Sequence, residues 1–234
     1  MKKLAFLFAL FLIFSCNEKQ PDLLVKTNIK GLKKGIVYLK KAQDSTIVTV
    51  DSVIVSGNDT FELQSSIKSP EIFFLYLDKN SNEEDRITFF ADKGVIEINT
   101  TLKNFVFDAK IKGSKQQKTL EEYQLLMSRL NNRNLDLIKE SFEAQKRGDS
   151  LAGKIYEEKQ NSLLKNRYLQ TVNFALNNND SEVAPYLALT EIYNARVKFL
   201  DTINKMLTPE VKASKYGKQL QTFIDKIKNQ ENDK

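Results

Sequence analysis

The chain has 234 residues, of which 41% are apolar and 28% charged, with a formal charge of +6. This is the composition of a folded chain with a real core, not of a disordered one. It has no His and one Cys, which removes the usual general base near neutral pH, His/Cys zinc sites, Ser-His-Asp triads and CxxC redox chemistry. Basic and acidic residues are interspersed, so no stripe of charge points to nucleic acid.

Lys2 and Lys3 precede an unbroken apolar run from Leu4 to Phe14. A bilayer-spanning helix needs about 20 apolar residues, so the run is too short to be a permanent span. A positive start, a short apolar segment and a small residue before the break mark a secretory signal peptide. Ile13-Phe14-Ser15-Cys16 resembles a bacterial lipoprotein signal, in which the Cys is acylated and becomes the first residue of the mature chain. Cys16 has no internal disulfide partner, and a lone thiol is a liability in an oxidising compartment. Acyl chains contribute about 0.8 kcal/mol per buried CH₂ and tether a protein without a transmembrane helix. Asn17 stands where an Asp would favour the inner membrane. The expectation is a signal peptide over residues 1–15, lipidation at Cys16 and a tether over 16–22. It places the protein in the cell envelope, lipid-anchored at the outer membrane and facing the periplasm.

From Leu23 the pattern alternates with period two. Leu23, Val25 and Ile29 fall on one face of a first strand, and Ile36 to Ala42 returns after a turn containing Gly31 and Gly35. Thr46 to Val55 is largely β-branched, and Thr60 to Gln64 follows Ser56-Gly57-Asn58-Asp59. Glu71 to Leu77 is apolar on both faces, which predicts a central strand. Arg86 to Ala91 and Val95 to Thr100 read as a hairpin around Asp92-Lys93-Gly94, and Phe105 to Ile111 as a closing strand. Eight short strands over residues 23–113 predict an antiparallel β-sandwich or open barrel.

After Gly113-Ser114 the period becomes helical. Leu120, Tyr123, Met127, Leu130, Leu137, Ile138 and Phe142 form one stripe on a helix of about 30 residues. Gly148 suits its end, and Asp149 or Ser150 can cap a second helix running to about Leu176. Ser181 or Asp180 caps a third, with Pro185 in its first turn. Thr208-Pro209-Glu210 opens another helix, and a last one carries Leu220, Phe223, Ile224 and Ile227. The fold class is therefore α+β: the β-domain, then a helical domain over 114–228 whose first two helices form a long hairpin, then a polar tail over 229–234.

Several short motifs bear on chemistry. Ser65-Ser66-Ile67-Lys68 and Ser162-Leu163-Leu164-Lys165 match Ser-x-x-Lys, without the Ser-Asp-Asn or Lys-Thr-Gly that accompany that nucleophile. Asp78-Lys79-Asn80-Ser81-Asn82 copies the start of a calcium loop, but Glu83 stands where Gly is needed and Phe89 where the bidentate Glu belongs. Glu121-Glu122 and Glu157-Glu158 are helical neighbours and diverge by about 100°. The eight Gly show no GxGxxG or Walker spacing. A hydrolase using carboxylates alone requires acids such as Asp51 and Asp92 to meet in a cleft. No catalytic residue, metal or cofactor is expected.

The order of degenerate motifs resembles a family. Ile29-Lys30-Gly31, Gly35-Ile36-Val37-Tyr38-Leu39, Val50-Asp51-Ser52, Gly57 ahead of Phe61, Phe89-Phe90 ahead of Gly94, and Lys112-Gly113-Ser114 carry the resemblance. Asn179-Asp180-Ser181-Glu182-Val183-Ala184 and Ser214-Lys215-Tyr216-Gly217 extend it into the helices. It is similar to the uncharacterised β-domain upstream of thioredoxin-like domains in thiol-disulfide oxidoreductase lipoproteins of Gram-negative bacteria. The CxxC-bearing thioredoxin fold that the family carries next does not appear before Lys234. The resemblance therefore implies an envelope lipoprotein without redox catalysis. The expectation is a non-enzymatic binding or interaction module with the membrane and an envelope protein as partners. The alternative is an accessory recognition subunit of a thioredoxin-like system.

Overall fold

The structure is a computed structural model that describes residues 21–43, 46–78, 83–149 and 151–232. Among the described residues eight strands come first: β1 (Leu23–Lys30), β2 (Lys34–Gln43), β3 (Thr46–Ser56), β4 (Thr60–Ser65), β5 (Glu71–Tyr76), β6 (Arg86–Ala91), β7 (Gly94–Thr101) and β8 (Lys110–Lys112). They make two four-stranded sheets, β4-β1-β7-β8 and β3-β2-β5-β6. The inward faces supply Val25, Ile29, Leu63, Ile96 and Ile98 from the first sheet and Val37, Leu39, Phe73, Leu75, Ile87 and Phe89 from the second. Strand alternation sends every second side chain into this shared core.

Two expectations for the strands need correction. β6 and β7 are not a hairpin: β6 pairs with β5, whereas β7 pairs in parallel with β1, Val25 opposite Ile96. The turn at Asp92-Lys93 carries the chain from one sheet to the other, so both strands face the core from opposite sides. Turn chemistry alone does not separate this corner from a hairpin. The closing strand is also shorter than Phe105 to Ile111. Residues 102–108 form a turn, held by Thr100 Oγ1 donating to the Phe105 carbonyl at 2.7 Å and Thr101 Oγ1 donating to Asp108 at 2.7 Å. Phe105 is buried and Phe107 is 94% exposed, a period-two coincidence inside a loop.

Six helices follow among the described residues: α1 (Lys115–Lys146), α2 (Ala152–Asn177), α3 (Val183–Thr190), α4 (Val197–Met206), α5 (Pro209–Ala213) and α6 (Lys215–Asn232). Ser114 caps α1 by accepting from the Gln117 N–H, and Ser181 Oγ accepts from Val183 N at 3.2 Å at the start of α3. Thr208 caps α5 as the sequence predicts, but α5 stops after one turn. Ser214 Oγ then accepts from Gly217 N at 3.3 Å and starts α6. A Cβ on Gly217 would sit 2.1 Å from the Val211 carbonyl oxygen, so this close restart requires glycine. The expected polar tail is helical as far as Asn232. The far end of α2 and helices α3 to α6 share a second core that includes Val172, Ala175, Ala188, Leu200, Ile203, Leu220 and Ile224.

The helices form a third layer on the outer face of the β3-β2-β5-β6 sheet. Ile72, Phe74, Tyr76 and Phe90 meet Leu120, Tyr123, Met127, Val183, Leu187 and Tyr216. This explains why all six residues of β5 are buried: Phe73 and Leu75 face the sandwich, Ile72, Phe74 and Tyr76 face helices, and Glu71 is covered at the seam by Lys41 and Lys215. The corner between domains is tight. Gly113 has φ +96°, and a Cβ there would lie 2.1 Å from the Val95 carbonyl oxygen. Gly113→Ala is expected to lower stability by more than about 1 kcal/mol, since both the left-handed backbone and the contact oppose it; urea unfolding checks this.

Candidate functional site

Two regions carry the polar and exposed features that packing alone does not require: the seam between sheet and helices, and the hairpin beyond it. At the seam, Glu71 on β5 is buried and pairs with Lys41 at 3.1 Å and with Lys215 at the start of α6. Lys215 Nζ also donates to the Ala42 carbonyl at 2.8 Å, and Ile72 N donates to the Tyr216 hydroxyl at 3.0 Å. Phe90 N donates to Gln117 Oε1 at 2.8 Å. These bonds satisfy backbone and charged groups that the helical layer hides from water. Burial raises the Tyr216 phenol well above its ordinary value and pushes Tyr123 up to about 12. Tyr123 shares a 2.9 Å hydrogen bond with Thr171. Both hydroxyls stay protonated at neutral pH and act as fixed donors or acceptors.

Beyond Leu130 the hydrogen bonds of α1 to other elements all go to α2: Asn131 to Arg167 at 3.0 Å, Asn134 to Gln160 at 2.7 Å and Glu140 to Lys159 at 3.0 Å. The last 16 residues of α1 therefore stand on α2 alone. At 1.5 Å per residue this overhang is about 24 Å long. Its two faces differ in chemistry. Arg129, Arg133, Asp136, Glu140, Glu143 and Arg147 recur every three or four residues on one face. Glu140 is held there by Arg133 and Lys159 at 3.1 and 3.0 Å, and the Lys159 hydrogen bond foremost lowers its carboxyl below the ordinary range. Asn131, Leu135, Ile138, Phe142 and Gln145 recur with the same spacing on another face, and all five are exposed. Leu135, Ile138 and Phe142 are 63%, 46% and 56% exposed. The apolar stripe predicted from Leu120 to Phe142 thus divides, its first half buried on the sheet and its distal part open except at Leu137.

The other sequence candidates have structural placements. Cys16, the signal residues 1–15 and the calcium-like positions 79–82 lie outside the described residues, as do Ser150 and all of the tether except Pro21 and Asp22. Asp51 accepts from Ser52 N and Gln64 N, both at 2.7 Å, joining β3 to β4. Asp92 accepts from Lys115 N at 2.7 Å and Gln116 N at 3.4 Å, a second cap on α1 that sequence reading missed. The two carboxylates do not meet: Asp51 uses both oxygens and Asp92 its Oδ2 on backbone N–H groups, while Asp92 Oδ1 is buried with no hydrogen-bond partner among the described residues. Ile67 of the first Ser-x-x-Lys is core, and Ser162 and Lys165 of the second are exposed on α2. Phe89 is also core. Among the described residues no group of three or more Cys, Asp or Glu is placed to hold a metal ion.

One acidic group has a pH consequence. Glu182 accepts from Gln116 Nε2 at 2.6 Å, beside Asp92, Lys115 and Asp180. Burial first, then the neighbouring Asp92 and Asp180, raises its pKa above the ordinary carboxylate value, against the pull of a backbone hydrogen bond and Lys115. A raised folded-state pKa contributes stability that is complete below the unfolded value and lost as pH rises through the folded one. Glu182→Gln keeps the acceptor and removes the charge. The variant is expected to match its parent near about pH 4 and to exceed it near about pH 7.5 in thermal midpoint.

Fold and site together define an α+β protein: a mixed β-sandwich with a docked helical layer and an overhanging helical hairpin. The family model described as "Domain of unknown function (DUF4369)" matches residues 23–120. That uncharacterised domain is the sandwich plus the first turns of α1. No curated protein matches the chain.

Proposed function

We propose that the protein is a non-enzymatic lipoprotein of the cell envelope that works as a binding module, anchored by acyl chains on Cys16. One observation carries the reading. The only Cys of the chain stands directly after a short apolar run with a positive start and a small residue before the break. No helix among the described residues is long and apolar enough to cross a membrane, so acylation is the means of attachment that the leader supplies. The sandwich and hairpin then offer surfaces, and the carboxylates with catalytic potential, Asp51 and Asp92, serve as backbone acceptors. The anchor places these surfaces at the outer membrane, facing the periplasm, where the partner is another envelope protein.

The order of motifs from Ile29 to Gly217 favours a narrower version, in which the module supplies recognition to a separate thioredoxin-like protein. A deletion strain with altered envelope thiol status supports that version, and unchanged status removes it. The anchor is tested by metabolic labelling with a fatty-acid probe. The wild-type chain is expected to take up label and fractionate with membranes, and Cys16→Ser to lose both properties. A wild-type chain that stays unlabelled and freely soluble refutes the proposal.

A further inference from the structure

We infer that the exposed uncharged face of the α1 overhang is a homodimer surface, on which a second copy of this chain packs antiparallel to complete a four-helix bundle. The stripe Asn131, Leu135, Ile138, Phe142, Gln145 has alternating spacings of four and three residues, the seam of a helix that packs against another. All five side chains are exposed; Asn131 accepts from Arg167 at 3.0 Å and Lys146 lies over one side of the Phe142 ring at 4.4 Å, while Leu135 and Ile138 between them are open. The stripe is also symmetric in chemistry: an amide, three apolar residues, an amide. A twofold axis at Ile138 sets that residue against its own copy. It sets Leu135 against Phe142, and Asn131 against Gln145, in both directions at once. An isologous contact needs this self-complementarity, and polar amides at the ends of an apolar seam fix its register.

Charge agrees with a like partner. None of the five seam side chains is ionised, and the cations beside them are each paired with an acid, Lys146 with Glu143 at 3.6 Å and Arg167 with Glu191 at 2.7 Å. Gln160 and Leu164 of α2 lie beside Asn134 and Asn131 at the margin of this face. The opposite face has its own salt bridges between Arg133, Glu140 and Lys159. A lipid bilayer is the poorer occupant: Asp136, Glu140, Glu143, Asp149, Glu157 and Glu158 balance the basic residues of the hairpin end, where an anionic surface selects excess Lys and Arg. The area suffices for a reversible dimer. A face about 24 Å long and two helix diameters, about 20 Å, wide buries roughly 500 Å² per copy, near the lower bound for a specific interface.

The inference does not need the lipid anchor, and the two fail separately. Sedimentation velocity of the purified full chain over a concentration series is expected to show a reversible monomer–dimer equilibrium. Ile138→Lys is expected to weaken it at least about tenfold, or about 1.4 kcal/mol. Leu125→Lys, on another exposed face of α1, is expected to leave it unchanged. In a Cys16→Ser background, Ile138→Cys is expected to form disulfide-linked dimers faster than Glu143→Cys, because only position 138 lies on the axis. A chain that stays monomeric up to about 100 μM overturns the inference. So does equal weakening by Leu125→Lys, or a monomer that uses this face to bind vesicles of zwitterionic or anionic lipid. Circular dichroism of each variant confirms that a lost dimer is not lost folding.

Discussion

Phe90→Ala is expected to cost about 3–5 kcal/mol, the range for removing a buried aromatic ring, and to loosen the helical layer before the sandwich. Phe90 is fully buried, yet its ring points away from the sandwich core and into the seam. It lies edge-on to Tyr186 at 5.6 Å and to Tyr216 at 5.7 Å, and those two rings are themselves edge-on at 5.3 Å. Each such pair adds about 0.5–1.5 kcal/mol beyond the area it buries. Removing Phe90 therefore takes out the ring that touches α3 and α6 together. The contrast is its neighbour Phe89, which stacks on Phe73 inside the sandwich at 6.1 Å. Amide hydrogen exchange separates the two cases. Phe90→Ala is expected to raise exchange in α3 and the first turns of α6 while β1, β7 and β2 keep their protection. Phe89→Ala is expected to expose the strands. Equal exchange profiles for the two variants contradict the division into layers.

The pair Phe89-Phe90 also shows what was legible in the sequence and what was not. Local patterns located the strands, because alternation is a property of neighbouring residues. The double apolar character of Glu71 to Leu77 correctly marked β5 as covered on both faces. What covers its second face is a non-local fact: helices more than 40 residues later in the chain supply Leu120, Tyr123, Val183 and Tyr216. For the same reason β6 and β7 read as a hairpin, although a corner between sheets separates them. The stripe on α1 read as continuous because its period does not change at Leu130. Only the end of the supporting sheet, which the helix sequence does not encode, divides the buried part from the part ending at Phe142. Glu71 was invisible as a special residue: a single Glu at the start of an apolar strand signals nothing until Lys41 and Lys215 arrive from β2 and α6.

That buried cluster makes the second large prediction. Glu71→Ala is expected to destabilise the protein by about 3–5 kcal/mol, because it strands two partly buried ammonium groups without their counter-charge. The Glu71 side chain is 8% exposed, and those of Lys41 and Lys215 are 20% and 26% exposed. Lys41 keeps a contact with the Ser66 carbonyl at 3.2 Å, and Lys215 keeps the Ala42 carbonyl at 2.8 Å. Carbonyl dipoles do not replace a carboxylate. Three further variants distinguish the charge from the packing. Glu71→Gln retains volume and an acceptor, so its loss is expected to fall between that of Glu71→Ala and zero. Lys41→Met leaves Glu71 paired with Lys215, and its loss is expected to be the smaller of the two lysine substitutions. Lys215→Met removes the contact that joins α6 to β5 and β2, and is expected to release the helical layer as Phe90→Ala does. Replacing all three residues with apolar side chains is expected to recover much of the loss, since the desolvation cost of the charges disappears with them. Urea unfolding of the series decides the matter. If the triple replacement is as unstable as Glu71→Ala, the cluster works through the shape of its side chains and not through the burial of unpaired charge.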